Sequence, residues 1–175
     1  MTDAELRIES PSDLESISSV TELAFRDRPY AGGDEQDVID RLRASGALTL
    51  SLVAILEGEL VGQITFSPAT LSDGTGPWFA LGPVSVLPEH QGEGIGSQLI
   101  NQGLSTMEEL GALGCILTGN PVYYCRFGFE VSPDHAPENE PAEYFQLKLI
   151  GAEKAEGTFC FHPAFYDDDQ TRRKI

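Results

Sequence analysis

Three glycines at every second position, Gly92, Gly94 and Gly96, stand between the apolar phrase Val84-Ser85-Val86-Leu87-Pro88 and a helical pattern that begins at Ile95. Residues without Cβ atoms let successive backbone N–H groups face one concave spot, and a helix start behind them adds partial positive charge. Such a turn can hold an anion, and a phosphate or pyrophosphate is the expected guest. The turn has no Lys-Ser/Thr at its end, so it is not the loop of a nucleotide-hydrolysing enzyme. Its third glycine comes one residue early for a dinucleotide fingerprint, and it lies in mid-chain.

The pattern Gln91-x-x-Gly94-x-Gly96 after Val-Ser-Val-Leu-Pro resembles the acetyl-CoA-binding signature of the GNAT N-acetyltransferase superfamily. A second phrase follows about twenty-five residues on, Gly119-Asn-Pro-Val-Tyr-Tyr-Cys-Arg-Phe-Gly-Phe129, with Tyr124 four residues before Gly128-Phe129 as in that superfamily. Together with residues 81–92 and the closing His162-Pro163-Ala164-Phe165, the chain is similar over nearly its whole length to the YhbS-like subgroup. The resemblance implies a mixed α/β fold, a twisted and mostly antiparallel sheet flanked by helices and splayed at a cofactor cleft. It implies acetyl-CoA as co-substrate and a primary amine as acceptor, with no metal. Val84 and Val86 would line the pantetheine arm. Gln91, Gly92, Glu93, Gly94, Ile95, Gly96 and Ser97 would wrap the pyrophosphate, and Asn120 would lie where the central strands part.

Direct acetyl transfer needs a polarised carbonyl, a neutral amine and a proton for the departing thiolate. Tyr124 is the expected general acid, because a phenol with a pKa near ~10 keeps its proton at neutral pH. Taken alone, Tyr123-Tyr124 before Phe-Gly-Phe reads as packing; its place after the glycine turn and Asn120 favours chemistry. Tyr123 is the rival for the acid and otherwise joins the cofactor side. No base stands out. Glu89 and His90 abut the loop but read as a solvated or capping turn, and His135 and His162 are weaker candidates. Where some relatives in the superfamily carry a glutamate, this chain has Ala80, Leu81 and Gly82, which leaves a water relay. Cys125 is the one nearby nucleophile, with nothing to activate it. The alternative is a CoA-binding sensor or regulatory protein that keeps the cleft but has weak or no turnover.

Composition bounds the setting. The 175 residues suit one domain, 1–175, and 41% hydrophobic content supports a packed core. No apolar run is long enough to span a bilayer and no signal-peptide pattern opens the chain, so a cytoplasmic protein is expected. Cys115, Cys125 and Cys160 are odd in number and unpatterned, against both disulfides and a metal site. A formal charge of −17, with an acidic run at 167–169, disfavours nucleic acid. It points either to a host living at high salt or to recruitment of a cationic acceptor. No Lys or Arg occurs from residue 44 through 125, so the anion is expected to rest on backbone N–H groups and the helix dipole alone. Glu93 is expected to point outward as a first-turn acid. The superfamily's frequent homodimers leave that state open, although no exposed apolar stripe argues for one.

The elements that must position these residues follow from periodicity. Residues 5–9 read as a strand, Ser10 to Asp13 as a helix start, and Leu14, Ile17, Val20, Leu23 and Ala24 as a helical stripe. A second helix spans 34–44, and the link 26–33, with Pro29 and two glycines, shapes the acceptor side by resemblance. Residues 49–56, 60–71 and 78–87 form a meander whose first turn holds Gly58. An amphipathic helix from Ile95 ends near Gly111, 115–118 is a short strand, and Pro121 opens the short helix of Tyr124. Residues 145–150 and 157–161 are expected to close the sheet.

Overall fold

The computed structural model describes residues 3–28 and 32–166; the expected features at Pro29 and at 167–169 lie outside them. The elements are β1 (Glu5–Ile8), α1 (Leu14–Phe25), α2 (Glu35–Ala44), β2 (Leu50–Leu56), β3 (Glu59–Leu71), β4 (Trp78–Val86), α3 (Ile95–Glu109), β5 (Gly114–Thr118), α4 (Pro121–Tyr124), β6 (Glu130–Val131), β7 (Phe145–Leu149) and β8 (Phe159–Cys160). They build an eight-stranded sheet in the order β1-β2-β3-β4-β5-β7-β6, with β8 on β3. Only the β4–β5 pairing is parallel. This is the mixed, mostly antiparallel sheet expected. Among the described residues no helix is long and apolar enough to cross a membrane.

The expected hairpin forms with Glu57 and Gly58 both in the left-handed region, φ 53° and 81°, which matches the twist of the flanking strands. One strand is unexpected, and one strand expectation needs correction. β6 is a two-residue strand with no periodicity to reveal it. Residues 159–160 do not close the sheet's edge; they pair with Thr70 and Leu71, where the 13-residue β3 overhangs β2. Leu50 of β2 pairs with Phe66, so the last residues of β3 would otherwise offer an open edge.

Strand alternation sorts the helices. Gly62, Ile64 and Phe66 face α3, and Gln63, Thr65 and Ser67 face the opposite side, where Thr21 of α1 meets Ser85. Gly62 and Gly103 let α3 approach closely: a Cβ on Gly103 would run into the fully buried ring of Phe66, and one on Gly62 would lie 3.2 Å from Leu99. The start of α1 is fastened to β1 by Asp13, which accepts from Arg7 Nη1 at 2.7 Å and from the Ser10 N–H at 2.7 Å. The Arg7 guanidinium, helped by Ser10, holds the Asp13 carboxyl well below the usual carboxylate range despite its burial.

Candidate active site

β4 and β5 run together for three rungs, Trp78 with Gly114, Phe79 with Cys115 and Ala80 with Ile116, and then separate. Residues 81–86 continue to pair with β3, leaving the other edge of β4 open. A bulge sits at the parting point, where Thr65 alone opposes Gly82 and Pro83 between the Ile64–Val84 and Phe66–Leu81 pairs. The bulged Pro83 carbonyl is held from beneath by Gln63 Nε2 at 3.2 Å and Thr65 Oγ1 at 3.3 Å. Gln63 Nε2 also donates to Ser85 Oγ at 2.6 Å, so a buried polar strip fixes the strand at its bend.

The ladder's parity decides what the open edge offers. Leu87 N–H donates to Val61, which assigns Leu87 and Ser85 to hydrogen-bonded positions against β3. Val84 and Val86 therefore turn their N–H and C=O groups toward the gap, and both are half-buried, as a cleft-lining role requires.

At the mouth of that gap lies the glycine turn. Gly92 and Gly94 take φ 81° and 90°, conformations that L side chains rarely adopt, and Gly94 is the N-cap of α3. Among the described residues no backbone carbonyl accepts from the N–H groups of Gly92, Gly94, Ile95, Gly96 or Ser97. A Cβ on Gly96 would stand 3.2 Å from the Tyr123 hydroxyl and 3.8 Å from Val86. The turn thus leads into the positive end of a 15-residue helix.

Two loop residues have side-chain partners within the protein. The Gln91 N–H goes to the Pro88 carbonyl, and its side chain bridges, with Nε2 donating to Val86 O at 3.0 Å and Oε1 accepting from Arg28 Nη2 at 2.7 Å. Glu93 precedes the helix instead of lying in its first turn, and its carboxylate contacts His90 Nδ1 at 3.3 Å. Two arginines also reach this region. Arg28, from the link after α1, reaches the loop, and Arg126 stacks on Tyr123 with its guanidinium carbon 4.7 Å from the ring centroid. No spacing rule links Arg28 to Gln91 across 63 residues, which is why sequence reading misses it.

Tyr123 and Tyr124 diverge from α4. The Tyr123 hydroxyl sits over Gly96, at the start of α3. The Tyr124 ring lies at the end of β5, where a Cβ on Gly119 would be 2.8 Å from its Cε2, and it packs edge-on to Tyr123 and Phe129 at 5.0 and 6.1 Å. Asn120 caps α4, its Oδ1 accepting from the Val122 N–H at 3.0 Å. Its amide NH₂ remains as the donor side. His135 contacts the Gly157 carbonyl and His162 caps its own turn, so both histidines hold loops together. Cys115 is buried and its thiol is pushed up to about 12 by desolvation, while Cys125 is exposed and donates to Val122 O. A cavity of about 340 Å³ opens beside the cleft's rim, lined by Glu22, Phe25, Asp27, Arg28, Gly33 and Glu35 among others. This is the link expected to shape the acceptor side. Among the described residues no cluster of His, Cys, Asp and Glu is placed to hold a metal ion.

Comparison with known proteins gives the family. Residues 5–132 match the acetyltransferase (GNAT) domain family. The uncharacterized N-acetyltransferase YhbS of Escherichia coli K12 is 32% identical over 131 residues, 74% of this chain and 75% of that protein. A GNAT family acetyltransferase from Brucella melitensis, solved in complex with acetyl-CoA, superposes with a TM-score of 0.82 at 42% identity, covering 94% of this chain and 99% of that one. YhbS from Escherichia coli, solved with CoA, gives a TM-score of 0.83 at 28% identity, covering 94% and 95%.

Proposed function

The chain belongs to the GNAT acetyltransferase family, and from that premise we propose that it moves an acetyl group from acetyl-CoA directly to a primary amine. The observation that carries the proposal is the parting of β4 from β5 beside a turn whose glycine N–H groups, among the described residues, donate to no backbone carbonyl. The residues fit the donor: Gly92, Gly94, Ile95, Gly96 and Ser97 offer donors to a pyrophosphate, Val84 and Val86 offer open-edge groups to a pantetheine arm, and Tyr123 closes over Gly96. Solved relatives with acetyl-CoA and CoA support the same assignment.

In the reaction the neutral amine attacks the acetyl carbonyl, whose oxygen is stabilised by an N–H on the open edge of β4. The C–S bond then breaks, and the thiolate takes a proton from Tyr124, which recovers one from solvent. The amine's surplus proton leaves through water. No carboxylate or imidazole occurs in the β4 sequence from Trp78 to Val86, and His90 is engaged by Glu93. Tyr124 is favoured over Tyr123 because its ring lies at the end of β5, across the gap, whereas the Tyr123 hydroxyl is held at the phosphate end. Cys125 donates to a backbone carbonyl and faces solvent, which supports transfer without an acyl-enzyme. The amine would approach from the side of the cavity near Arg28, in one domain comprising the whole chain.

The experiment is acetylation of an amine panel by the parent and Tyr124→Phe, with CoA affinity measured in parallel. A fall of ~10²-fold or more in kcat with affinity held within twofold supports the acid. Turnover unchanged in Tyr124→Phe would reject it. CoA binding with no turnover on any amine would favour the sensor reading.

A further inference from the structure

A chain carrying a net charge of −17 has to draw in a cofactor that is itself strongly anionic. Its own positive charges are mostly committed. Among the described arginines, Arg7 pairs with Asp13, Arg26 with Glu22, Arg41 with Asp34, and Arg43 with Glu9 and Asp40. Arg28 and Arg126 are the two described arginines that pair with no described carboxylate; Arg28 meets the glycine turn at Gln91, and Arg126 stacks on Tyr123, whose hydroxyl sits over Gly96. Arg126 is tied down by stacking on Tyr123 and by its Nε donating to the Tyr123 carbonyl at 2.9 Å. Among the described residues the Arg28 side chain is held at one point, Nη2 on Gln91 Oε1.

We propose that Arg28 is a ligand of the cofactor's pyrophosphate, supplying from the acceptor-side link the positive charge that the loop's own sequence lacks. A guanidinium carries five N–H donors in a planar fork. With one on Gln91, the others remain for phosphate oxygens, and planar bidentate recognition of phosphate is what that fork does best. Gln91 serves as the tether: its oxygen fixes Arg28, while its NH₂ anchors on Val86 at the open edge of β4. The cradle N–H groups and the guanidinium then approach the same phosphates from different elements. Because Arg28 also lines the cavity with Glu22, Phe25 and Glu35, the cofactor's phosphates and the wall of the acceptor cavity share one side chain. This assignment rests on the acetyltransferase reading and adds a residue to its cofactor site.

The test uses CoA and pantetheine, which lacks the phosphates, on the full chain, Arg28→Ala and Arg28→Lys. CoA is followed by calorimetry, pantetheine by NMR shift titration and folding by melting temperature. Loss of a charge-assisted hydrogen bond predicts CoA binding weaker by about ten- to a hundredfold in Arg28→Ala. Pantetheine affinity should stay within twofold, and Arg28→Lys should fall between. CoA affinity within twofold of the parent in Arg28→Ala would overturn the assignment. So would equal losses for CoA and pantetheine, since Arg28 would then merely prop Gln91 and the β4 edge. Failure of the unaltered chain to bind CoA would overturn the acetyltransferase reading, and this assignment with it.

Discussion

Ala80 and Ile116 form the last rung between β4 and β5, and the gap between the two strands opens beyond them. Up to that rung the strands are packed in the core, with Ala80 and Ile116 both fully buried. After it, Gly82 and Pro83 bulge against Thr65, the strands diverge, and Val84 and Val86 turn backbone groups toward the gap, where the Val86 carbonyl accepts from Gln91 Nε2.

Tyr124 depends on the absence of a side chain at Gly119, whose Cβ would intrude on its ring. Gly119→Ala should therefore shift the phenol and lower kcat by about 10²-fold, the scale of a displacement near 1 Å. CoA affinity should hold within twofold. Steady-state rates with calorimetry check this, and an unchanged kcat would show that the ring's position does not matter to turnover.

Much of this site is legible in the sequence. The glycine turn and Tyr124 carry strong local patterns, and the Val84-Ser-Val86 alternation marks a strand beside them. Arg28 is not legible, because only the fold brings the α1 link to Gln91. Nor are the side-chain partners of Gln91, which bridges Val86 and Arg28, since spacing tells which residue stands in a loop but not where its amide turns. β8 fills the overhang of β3, a consequence of unequal strand lengths that periodicity does not carry.

The three thiols should separate by burial. Cys125 and Cys160 are exposed and should react with a thiol reagent in the native protein, whereas Cys115, buried and with its thiol raised to about 12, should react only on unfolding. Cys125→Ala should retain at least half of the turnover. Trapping of an acetylated Cys125 would contradict direct transfer.

Asp13 gives a pH signature. Its folded carboxyl is depressed by Arg7 and Ser10, so its contribution to stability is present above the ordinary carboxylate value near ~4 and fades as pH falls through the folded value. Denaturant unfolding of the parent and Asp13→Asn should show a stability gap at pH 7 that narrows steadily below about pH 4. A gap that stays constant to pH 2 would mean that the loss comes from packing.

The charge of −17 predicts salt-dependent stability. Raising potassium chloride from ~0.1 to ~1 M shortens the screening length from about 10 to about 3 Å and relieves self-repulsion. The melting temperature should rise by several degrees over that range. A flat or falling curve would turn attention from a saline host to recruitment of a cationic acceptor.

The most direct test of the cleft is a calorimetric titration of acetyl-CoA into the unaltered chain and into Gly94→Glu, at low and at molar potassium chloride. Gly94 takes φ 90° at the helix start, so the glutamate both strains the turn and sets a negative charge among the N–H donors. The account predicts one site per chain in the parent, and at least a hundredfold loss in Gly94→Glu with a melting temperature that shows it folded. Equal binding by both proteins, or none by the parent at either salt, would contradict it.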